Sequence, residues 1–448
     1  MHLLPQILFI LLLGATAYLV SRRVRQISRN ILLGRPMGRR DRLGERWKAL
    51  LLIAFGQKKM FKKPLVGLMH FIIYAGFLLI NIEVLEIVID GVAGTHRIFA
   101  HVLPVSFYAF LISFFEFLAL GVMLSCVVFL VRRNVLKLPR FWKPEMKGWP
   151  ALDANLILVI EIVLMVFILT MNAADQVLQT REFADNHYYK TGSFAFSQFL
   201  VPMLSGIESV GTLVFIERFG WWAHILGIFA FAYYVTYSKH LHIALAFPNT
   251  FFSNLNPKGQ FENMPAVTRE VKLAMGLMED DGQEEEEVKF GAKDVPHLTW
   301  KNLMDAYSCT ECGRCTSECP ANLTGKKLSP RKVMMDTRDR LEELGQYMAQ
   351  GKSKEEALAM GDPLYSERYI SKEEIMACTT CNACVEACPV NIDPLNIIMQ
   401  IRQHIAMEET DAPQSWNMMF ANVENNLAPW QFSSSDRANW TEALENEA

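Results

Sequence analysis

Apolar positions are concentrated in the first 250 residues of this 448-residue chain, where they form five nearly continuous runs. A helix needs about 20 apolar residues to cross the hydrocarbon core of a bilayer, and each run approaches or exceeds that length. The first run is short, but positive charge follows it instead of preceding it, which is the reverse of a cleaved signal peptide. We therefore predict a transmembrane domain over residues 1–250, with spans at residues 3–20, 64–89, 103–131, 151–172 and 221–247.

The charges of the loops predict how these spans are oriented. Residues 22–63 carry fourteen Lys and Arg against two acids, and residues 132–148 carry six against one. The loops near 90–102 and at 173–220 are poor in basic residues, and we expect the longer one to contain one or two helices at the outer surface. Because Lys- and Arg-rich loops mark the cytoplasmic side, the N-terminus is predicted to be outside and the chain beyond the fifth span inside. A basic block can also bind nucleic acid, but a block between two apolar spans indicates a lipid membrane and no nucleic acid as partner.

After residue 250 the composition becomes polar. Residues 251–300 form a predicted linker that contains seven acids between Glu279 and Glu287. Residues 301–405 hold eight of the nine cysteines and form the predicted second domain. The tail at 406–448 contains three tryptophans and no evident domain, so it either docks on a partner or packs against its own domain.

The eight cysteines form two copies of one pattern, C-x2-C-x2-C-x3-C-P. This is the spacing of a two-cluster [4Fe-4S] ferredoxin, in which three cysteines of a motif bind one cubane and the fourth, before proline, binds the other. Zinc is the alternative metal, but it favours paired C-x2-C units. The ninth cysteine, Cys126, lies in an apolar span and is predicted to be an inert core residue. The predicted ligands are Cys309, Cys312, Cys315 and Cys388 for cluster 1, and Cys378, Cys381, Cys384 and Cys319 for cluster 2.

The segment between the two motifs predicts the class of ferredoxin. It contains two stretches with helical spacing, at Pro330–Leu344 and near Lys354–Met360, and glycine and β-branched residues are scarce around both motifs. This favours a helical ferredoxin over the small β-rich type. The predicted fold is therefore mainly α, with a five-helix transmembrane bundle followed by a cytoplasmic α-helical dicluster ferredoxin domain.

Histidines in the spans predict haem ligands. His224 and His242 are 18 residues apart, or five helical turns, so a continuous fifth span would present both on one face near opposite membrane surfaces. His70 lies near the inner end of the second span, at the depth of His242, and bis-imidazole ligation suits an electron-transfer haem. We therefore predict an inner b-type haem between His70 and His242. An outer haem would need a partner for His224, for which His101 is at the right depth and His96 is the second choice, although both can instead be interfacial residues.

Other ionisable residues of the spans have alternatives that the sequence leaves open. His240 is predicted to be a surface or quinone-site residue, or a substitute ligand of the inner haem. Ionisable groups inside a membrane are costly and are usually functional. Four acids, Glu83, Glu86, Glu116 and Glu161, either move protons at a quinone or form hydrogen bonds between helices as protonated carboxyls.

Taken together, these residues resemble known redox proteins. Span 2 with His70, and span 5 with His224 and His242, resemble the nitrate reductase gamma-subunit type of cytochrome b. The cysteine motifs at 309–320 and 378–389 resemble the helical ferredoxin domain shared by heterodisulfide reductase and anaerobic glycerol-3-phosphate dehydrogenase subunits. The fusion in this order, over about residues 1–405, resembles the bacterial membrane-bound electron-transfer-flavoprotein:menaquinone oxidoreductases. Since the gamma subunit has two histidines where this chain has His70 alone, the resemblance implies one or two haems b.

This resemblance implies an oxidoreductase subunit of the bacterial inner membrane, with electron-transfer flavoprotein and menaquinone as its redox partners. Its full-length members continue into a cysteine-rich domain, which we expect to come from a separate iron–sulfur subunit. The residues themselves indicate a conduit, because no cysteine is left over to attack a substrate, and no G-x-G-x-x-G opens a strand–helix unit for a flavin or nicotinamide. The alternative is a subunit of a heterodisulfide-reductase-like thiol/disulfide oxidoreductase. A membrane redox sensor is a third possibility, but no receiver, kinase or DNA-binding segment supports it.

Overall fold

The computed structural model describes residues 3–181, 188–261, 263–279 and 289–445, and within these ranges the chain is helical and has no β-strand. The mainly α fold, with five membrane-type helices followed by a helical cluster domain, is confirmed. The N-terminal helices are α1 (Leu3–Ile31), α2 (Leu43–Ala49), α3 (Pro64–Ala93), α4 (Ile98–Val102), α5 (Val105–Leu130), α6 (Trp149–Leu178), α7 (Val201–Ser205), α8 (Val210–Val235) and α9 (His242–Phe251). The C-terminal helices are α10 (Pro265–Ala274), α11 (Trp300–Ser308), α12 (Arg314–Ser317), α13 (Pro320–Leu323), α14 (Pro330–Ala349), α15 (Lys354–Ala359), α16 (Lys372–Met376), α17 (Ala383–Ala387), α18 (Pro394–Gln403), α19 (Gln414–Asn426) and α20 (Trp440–Glu445).

Five helices, α1, α3, α5, α6 and α8, are long and apolar enough to cross a membrane. They pack mainly in the pairs α3–α5, α5–α6 and α6–α8. Small residues allow two of these approaches, because a Cβ on Gly76 would meet Val122 of α5 at 2.6 Å, and one on Gly227 would meet Leu164 of α6 at 2.6 Å. Close glycine contacts of this kind are characteristic of helix packing in membranes.

The fifth membrane helix differs from its prediction. It covers Val210–Val235 instead of 221–247, and α6 extends to Leu178, so the outer connection is shorter than expected and contains the short α7. A 3-10 turn at Lys239–Leu241 separates α8 from α9. His224 and His242 therefore do not share one continuous helix, and the prediction that five unbroken turns join them is wrong.

Asp153 of α6 provides the physical reason for this break. Its carboxylate accepts hydrogen bonds from Tyr234, from Ser238 Oγ at 2.6 Å and from the backbone N–H of Lys239 at 3.1 Å. Ser238 Oγ also accepts from the backbone N–H of His240 at 3.1 Å, in the manner of a helix N-cap. These polar groups fix a turn within a run of apolar residues that hydropathy alone reads as one span.

The cluster domain packs around an apolar core to which α11, α14 and α18 contribute, and Ile27, Ile157, Phe231 and Val235 of the bundle helices belong to the same core. The two helical stretches predicted between the cysteine motifs correspond to α14 and α15, and both are confirmed. The end of the predicted linker belongs to this core, since Ala292, Val295 and Leu298 are buried in it. Most of the acidic run, from Asp280 to Glu287, lies outside the described residues.

The cluster domain sits on one end of the bundle, which we call the proximal end; the opposite end is the distal end. The loop after α1 pairs with the extended segment before α11, where Arg35 N–H donates to Leu298 O at 2.7 Å and Trp300 N–H donates to Arg35 O at 3.1 Å. Both basic loops, at 32–63 and 136–148, also lie at the proximal end. They are anchored there by contacts such as Lys59 Nζ to Cys388 O at 3.2 Å and Arg331 to Arg140 O at 2.6 Å.

The tail leaves the cluster domain after α18. None of the residues of α19 is buried, and Trp430 and Trp440 are exposed. Trp416 lies near the second cysteine motif, with its ring 5.9 Å from the Arg402 guanidinium carbon. Arg402 in turn donates to Cys378 O at 2.6 Å. The tail therefore begins beside the second motif and presents its aromatic side chains to the surroundings.

Candidate metal centres

Both cysteine motifs adopt the same backbone conformation. In each copy, the second and fourth residues after the first cysteine have positive φ. In the first motif these are Glu311 at 53° and Gly313 at 71°, and in the second they are Thr380 at 56° and Asn382 at 62°. These left-handed residues bend the chain around the three cysteines, and each motif then continues into a short helix, α12 or α17. Glycine and asparagine occupy the fourth position because they adopt this region most easily.

The two motifs exchange their fourth cysteines. Four sulfur-bearing residues, Cys319 of the first motif and Cys378, Cys381 and Cys384 of the second, line one small cavity. Burial, followed by the charges of Cys312, Cys309, Cys388 and Cys384, raises the pKa of Cys315, and Cys312 is the cysteine whose charge acts on Cys388, so Cys388 lies beside the first motif. This grouping is the one that the two-cluster spacing predicts.

Thiols in these positions need a metal to become thiolates. Burial is the main cause that raises the pKa of Cys309 to about 12 and that of Cys388 to about 11. Metal binding displaces such protons. Among the described residues, no three His, Cys, Asp or Glu side chains converge on a single-ion site. Zinc would require four sulfurs at about 2.3 Å from one point, whereas a cubane binds each cysteine through a different iron.

The two cysteine groups differ in their exposure. Each group has two buried members, Cys309 and Cys388 in cluster site 1 (the ligands predicted for cluster 1) and Cys319 and Cys384 in cluster site 2, so the difference lies in one residue. Cys381 of cluster site 2 is exposed. Arg314 beside Cys315 donates to Lys59 O at 3.2 Å, which ties cluster site 1 to the loop before α3. Cluster site 1 is therefore the inner site, and cluster site 2 is the one that a partner can approach.

A buried ion pair connects cluster site 1 to the histidine-bearing turn. Glu311, between Cys309 and Cys312, forms a short contact with the ammonium of Lys239 and accepts from Arg338 at 2.8 Å. Burial opposes ionisation of Glu311, but Arg338 and Lys239 outweigh it and lower the pKa of this carboxyl. The backbone carbonyl of Lys239 also contacts His242 Nδ1 at 3.0 Å, so one residue touches both elements.

His70 and His242 come together as predicted from their depth. Their ring centres are 6.4 Å apart, and the rings are tilted by 39°. A metal–imidazole bond is about 2.0–2.1 Å long, and the ring centre lies about 1.1 Å beyond the bonded nitrogen. Two imidazoles that bind one metal from opposite sides would therefore have their ring centres about 6.3 Å apart. The Nδ1 contact of His242 with Lys239 O leaves Nε2 free to bind a metal, and Nδ1 of His70 is buried without a hydrogen-bond partner. The pair therefore fits a bis-histidine haem.

The predicted outer ligands are not brought together in the same way. His224 is buried, with Nδ1 2.9 Å from Leu164 O and Nε2 without a hydrogen-bond partner, so its ring has the arrangement of a potential ligand. His101 is exposed, and its ring lies 4.2 Å from that of Tyr189. Within the described ranges, no ring contact joins His101 to His224. Both ring nitrogens of His96 are occupied, by Asp175 and Arg218 at 3.1 Å each, so an outer haem stays a prediction.

Two further residues belong to this region: His240, which was predicted as a surface or quinone-site residue or a substitute ligand, and Lys239, whose role was not predicted. His240 joins the inner pair, with its ring centre 5.4 Å from that of His242. Lys239 links the turn to cluster site 1 through Glu311. A lysine inside a predicted apolar span was the sequence signal that could have identified both the end of α8 and this ion pair.

Comparisons with known proteins identify the cluster domain. Residues 308–392, which include all eight motif cysteines, match the family described as "4Fe-4S dicluster domain". The chain is 27% identical, over 97% of its length, to the "Probable iron-sulfur-binding oxidoreductase FadF" of Bacillus subtilis. It is 28% identical, over 90% of its length, to the "EtfAB:quinone oxidoreductase" of Syntrophomonas wolfei. It covers 60% and 54% of these two relatives, so it spans little more than half of their lengths.

A shorter similarity involves heterodisulfide reductases. Over 33% of its length, the chain is 26% identical to a subunit of the "Dihydromethanophenazine:CoB--CoM heterodisulfide reductase" of Methanosarcina mazei, and it covers 35% of that subunit. No solved structure matches the chain. The chain is thus related to iron–sulfur electron-transfer oxidoreductases and carries a [4Fe-4S] dicluster domain behind five membrane-type helices.

Proposed function

We propose that this protein is a membrane-anchored electron-transfer subunit that connects an electron-transfer flavoprotein with menaquinone. The observation that carries the proposal is the contact of Lys239, which joins the cysteine loop of cluster site 1 to the turn that bears His242. A one-electron relay requires its sites to be close and fixed, and this contact supports both. Similarity to the "EtfAB:quinone oxidoreductase" over 90% of the chain supports the choice of partners.

The proposed cofactors are two [4Fe-4S] clusters and haem b, which would supply one-electron transfer. Cys309, Cys312, Cys315 and Cys388 would hold cluster 1, and Cys378, Cys381, Cys384 and Cys319 would hold cluster 2. His70 and His242 would hold an inner haem. His224, with His101, would hold an outer haem if there is a second one.

The chain's own residues support this arrangement by excluding water and fixing the ligands. Cys309 and Cys388 are buried between the two domains, where Lys59 donates to Cys388 O. Asp153 holds the turn before His242 through Ser238 and Lys239. The exposed Cys381 marks the side on which a soluble partner would exchange electrons. By resemblance, that partner is the flavoprotein, acting through a cysteine-rich iron–sulfur unit.

The proposed location is the bacterial inner membrane, with the cluster domain in the cytoplasm. The two basic loops lie at the proximal end, together with the cluster domain. Since basic loops mark the cytoplasmic side, the same end is assigned to the cytoplasm. The alternative, a thiol/disulfide oxidoreductase subunit, is less favoured, because the similarity to the heterodisulfide reductase of Methanosarcina mazei covers 33% of the chain.

Spectroscopy of the purified protein tests the proposal. We expect about eight cluster irons per chain and a reduced b-type haem absorption band. His70→Ala and His242→Ala should each lose the inner haem, whereas His404→Ala, a histidine of the cluster domain that contacts Glu409, should keep it. Absence of haem from the wild-type protein, or a His70→Ala variant that retains all of it, would overturn the haem assignment. Reduction of menaquinone by reduced flavoprotein, in vesicles that contain the complete enzyme, tests the partners.

A further inference from the structure

Positive charges collect around cluster site 1. Arg331 pairs with Glu145 at 2.7 Å. Arg338 and Lys239 share one carboxylate, that of Glu311. Three further cations lie around the same cysteines, and none of them has a carboxylate within ion-pair distance in the part of the chain that the structure describes: Lys59, Arg140 and Arg314.

Lys59 and Arg314 lie against the ligands of cluster site 1. Lys59 Nζ donates to Cys388 O at 3.2 Å. Arg314 is 8% exposed, immediately precedes Cys315 and donates to Lys59 O at 3.2 Å. Neutral carbonyl groups accept both hydrogen bonds, and a neutral group does not balance a charge.

Arg140 reaches the same site from the second basic loop. It flanks Gly313, because a Cβ built on this glycine would lie 3.4 Å from the Arg140 Cβ. The Arg140 guanidinium carbon lies 4.8 Å from the ring centre of Phe141, and its Nε is buried without a hydrogen-bond partner. Burial lowers the pKa of Arg140, and the charge of Cys312 opposes this effect. Arg140 therefore also stands beside cluster site 1 without a counter-ion among the described residues.

These three cations indicate an anion beside them. Buried or half-buried charges without counter-ions are costly, and an anion at the site removes this cost. A [4Fe-4S] cluster is such an anion, because its four thiolates outweigh the charge of the iron–sulfur core. One-electron reduction adds a further negative charge and breaks no bond. The cations therefore stabilise the reduced cluster more than the oxidised one, which raises its reduction potential.

Cluster site 2 has a different set of charges. Its motif accepts one hydrogen bond from a cation, Arg402, which donates to Cys378 O at 2.6 Å. Burial, followed by the negative charge of Asp393, raises the pKa of Cys384. Cys381 is exposed, so water screens the charges near it. A cation and an acid thus adjoin this site, and they oppose each other.

Burial acts against cluster 1, because apolar surroundings disfavour an added charge. Each site, however, has two buried cysteines, and the sites differ in one exposed residue. They differ more in fixed charge, since the three unpaired cations all adjoin cluster site 1. Water also screens charges less in a partly buried site. The fixed charges therefore determine the order of the two potentials.

We infer that Lys59, Arg140 and Arg314 hold the reduction potential of cluster 1 above that of cluster 2. The oxidised inner cluster then takes the single electron that the outer cluster releases, and the outer cluster is reoxidised without transfer of a proton. The reduced flavin of a soluble donor supplies this electron in the proposed function, on which the direction of transfer rests. The surplus of cations at cluster site 1 does not depend on it.

A redox titration of the full-chain holoprotein, reduced with dithionite and followed by EPR, tests the inference. We expect one cluster to be reduced at a higher potential, and Cys381→Ser should alter the signal of the other. Arg314→Gln, Arg140→Gln and Lys59→Met should each shift the equilibrium of the higher-potential cluster about tenfold toward its oxidised form, or about 59 mV for one electron. Arg314→Lys, which keeps the charge, should keep most of the wild-type potential.

Arg402→Gln is the matched control, because its charge belongs to cluster site 2. It should lower the potential of the lower-potential cluster and leave the other unchanged, whereas Lys327→Gln, at a side chain that is 67% exposed, should shift neither. A higher potential for the cluster that Cys381→Ser alters, or equal shifts of both clusters in Arg314→Gln, would overturn the inference. Fewer than two clusters in the wild-type protein would refute the proposed function itself, whereas two clusters of equal potential would refute the inference alone.

Discussion

Lys239→Met removes the ammonium group that joins the two halves of the molecule. This side chain is 8% exposed, contacts Glu311 in the cysteine loop and donates to Pro150 O at 2.6 Å. Methionine has a similar length and no charge, so the variant keeps most of the packing. It leaves Glu311 buried with Arg338 as its remaining ion-pair partner, at 2.8 Å.

The size of the effect follows from these contacts. Removing one partner of a buried ion pair costs about 3–5 kcal/mol when the other charge is left uncompensated. Because Arg338 still compensates Glu311, we expect about 2–3 kcal/mol for Lys239→Met. Groups in direct contact couple by about 0.5–3 kcal/mol in a double-mutant cycle. Lys239→Met and Glu311→Gln should therefore be less costly together than the sum of the two single variants.

The assay is the urea unfolding transition of the detergent-solubilised holoprotein, followed by cluster absorbance. The matched control is the exposed pair Lys327–Glu373, whose side chains are 67% and 62% exposed and which should show no measurable coupling because water screens it. Lys239→Arg should be milder than Lys239→Met, since it keeps the charge. Strictly additive effects of Lys239→Met and Glu311→Gln would refute the view that this contact fixes the two halves.

Three further predictions concern the cluster domain. Burial raises the pKa of Asp336 to about 7, so its contribution to stability is present below about pH 4 and is lost as the pH rises through 7. Asp336→Asn should therefore raise the free energy of unfolding by about 2–4 kcal/mol at pH 8 but hardly change it at pH 4. Urea titrations at both pH values would measure this difference. Gly313 has φ 71°, and a Cβ there would lie 2.5 Å from an Arg331 nitrogen, so Gly313→Ala should cost about 1–3 kcal/mol and lower the iron content. Asn382→Gly, at the matching position of the second motif, should retain its iron. Cys381→Ser should lose or alter the EPR signal of one cluster, whereas Cys126→Ala should keep both.

Local spacing predicts the candidate metal centres. The pattern C-x2-C-x2-C-x3-C-P contains its own geometry, since the left-handed residues Glu311 and Gly313 lie within the motif. The pairing of Cys319 with the second motif follows from the same pattern. The helices between the motifs were also predictable, because helical periodicity at 330–349 is a property of neighbouring residues.

The turn between α8 and α9 was not predictable from hydropathy. Its residues are embedded in apolar neighbours, and the group that stabilises it, Asp153, lies some 85 residues earlier in the chain. Long-range polar contacts also join the helices at the distal end, where Arg97 reaches Asn172 and Asp175 of α6. Acids such as Glu116 were visible in the sequence, but only the structure shows which donors they meet.

Charged contacts fix how the cluster domain sits on the bundle, beside an apolar core that the two domains share. Three ion pairs join it to three different parts of the membrane domain: Arg23–Glu342 at α1, Glu145–Arg331 at the second basic loop, and Lys239–Glu311 at the turn after α8. Buried ion pairs add little net stability, because desolvation offsets their attraction, but each is satisfied in one relative position only. Apolar surfaces tolerate small shifts that three separate pairs do not. The proposed relay between Cys309 and His242 needs a constant separation, and pairs spread over three elements hold the domain against both sliding and rotation.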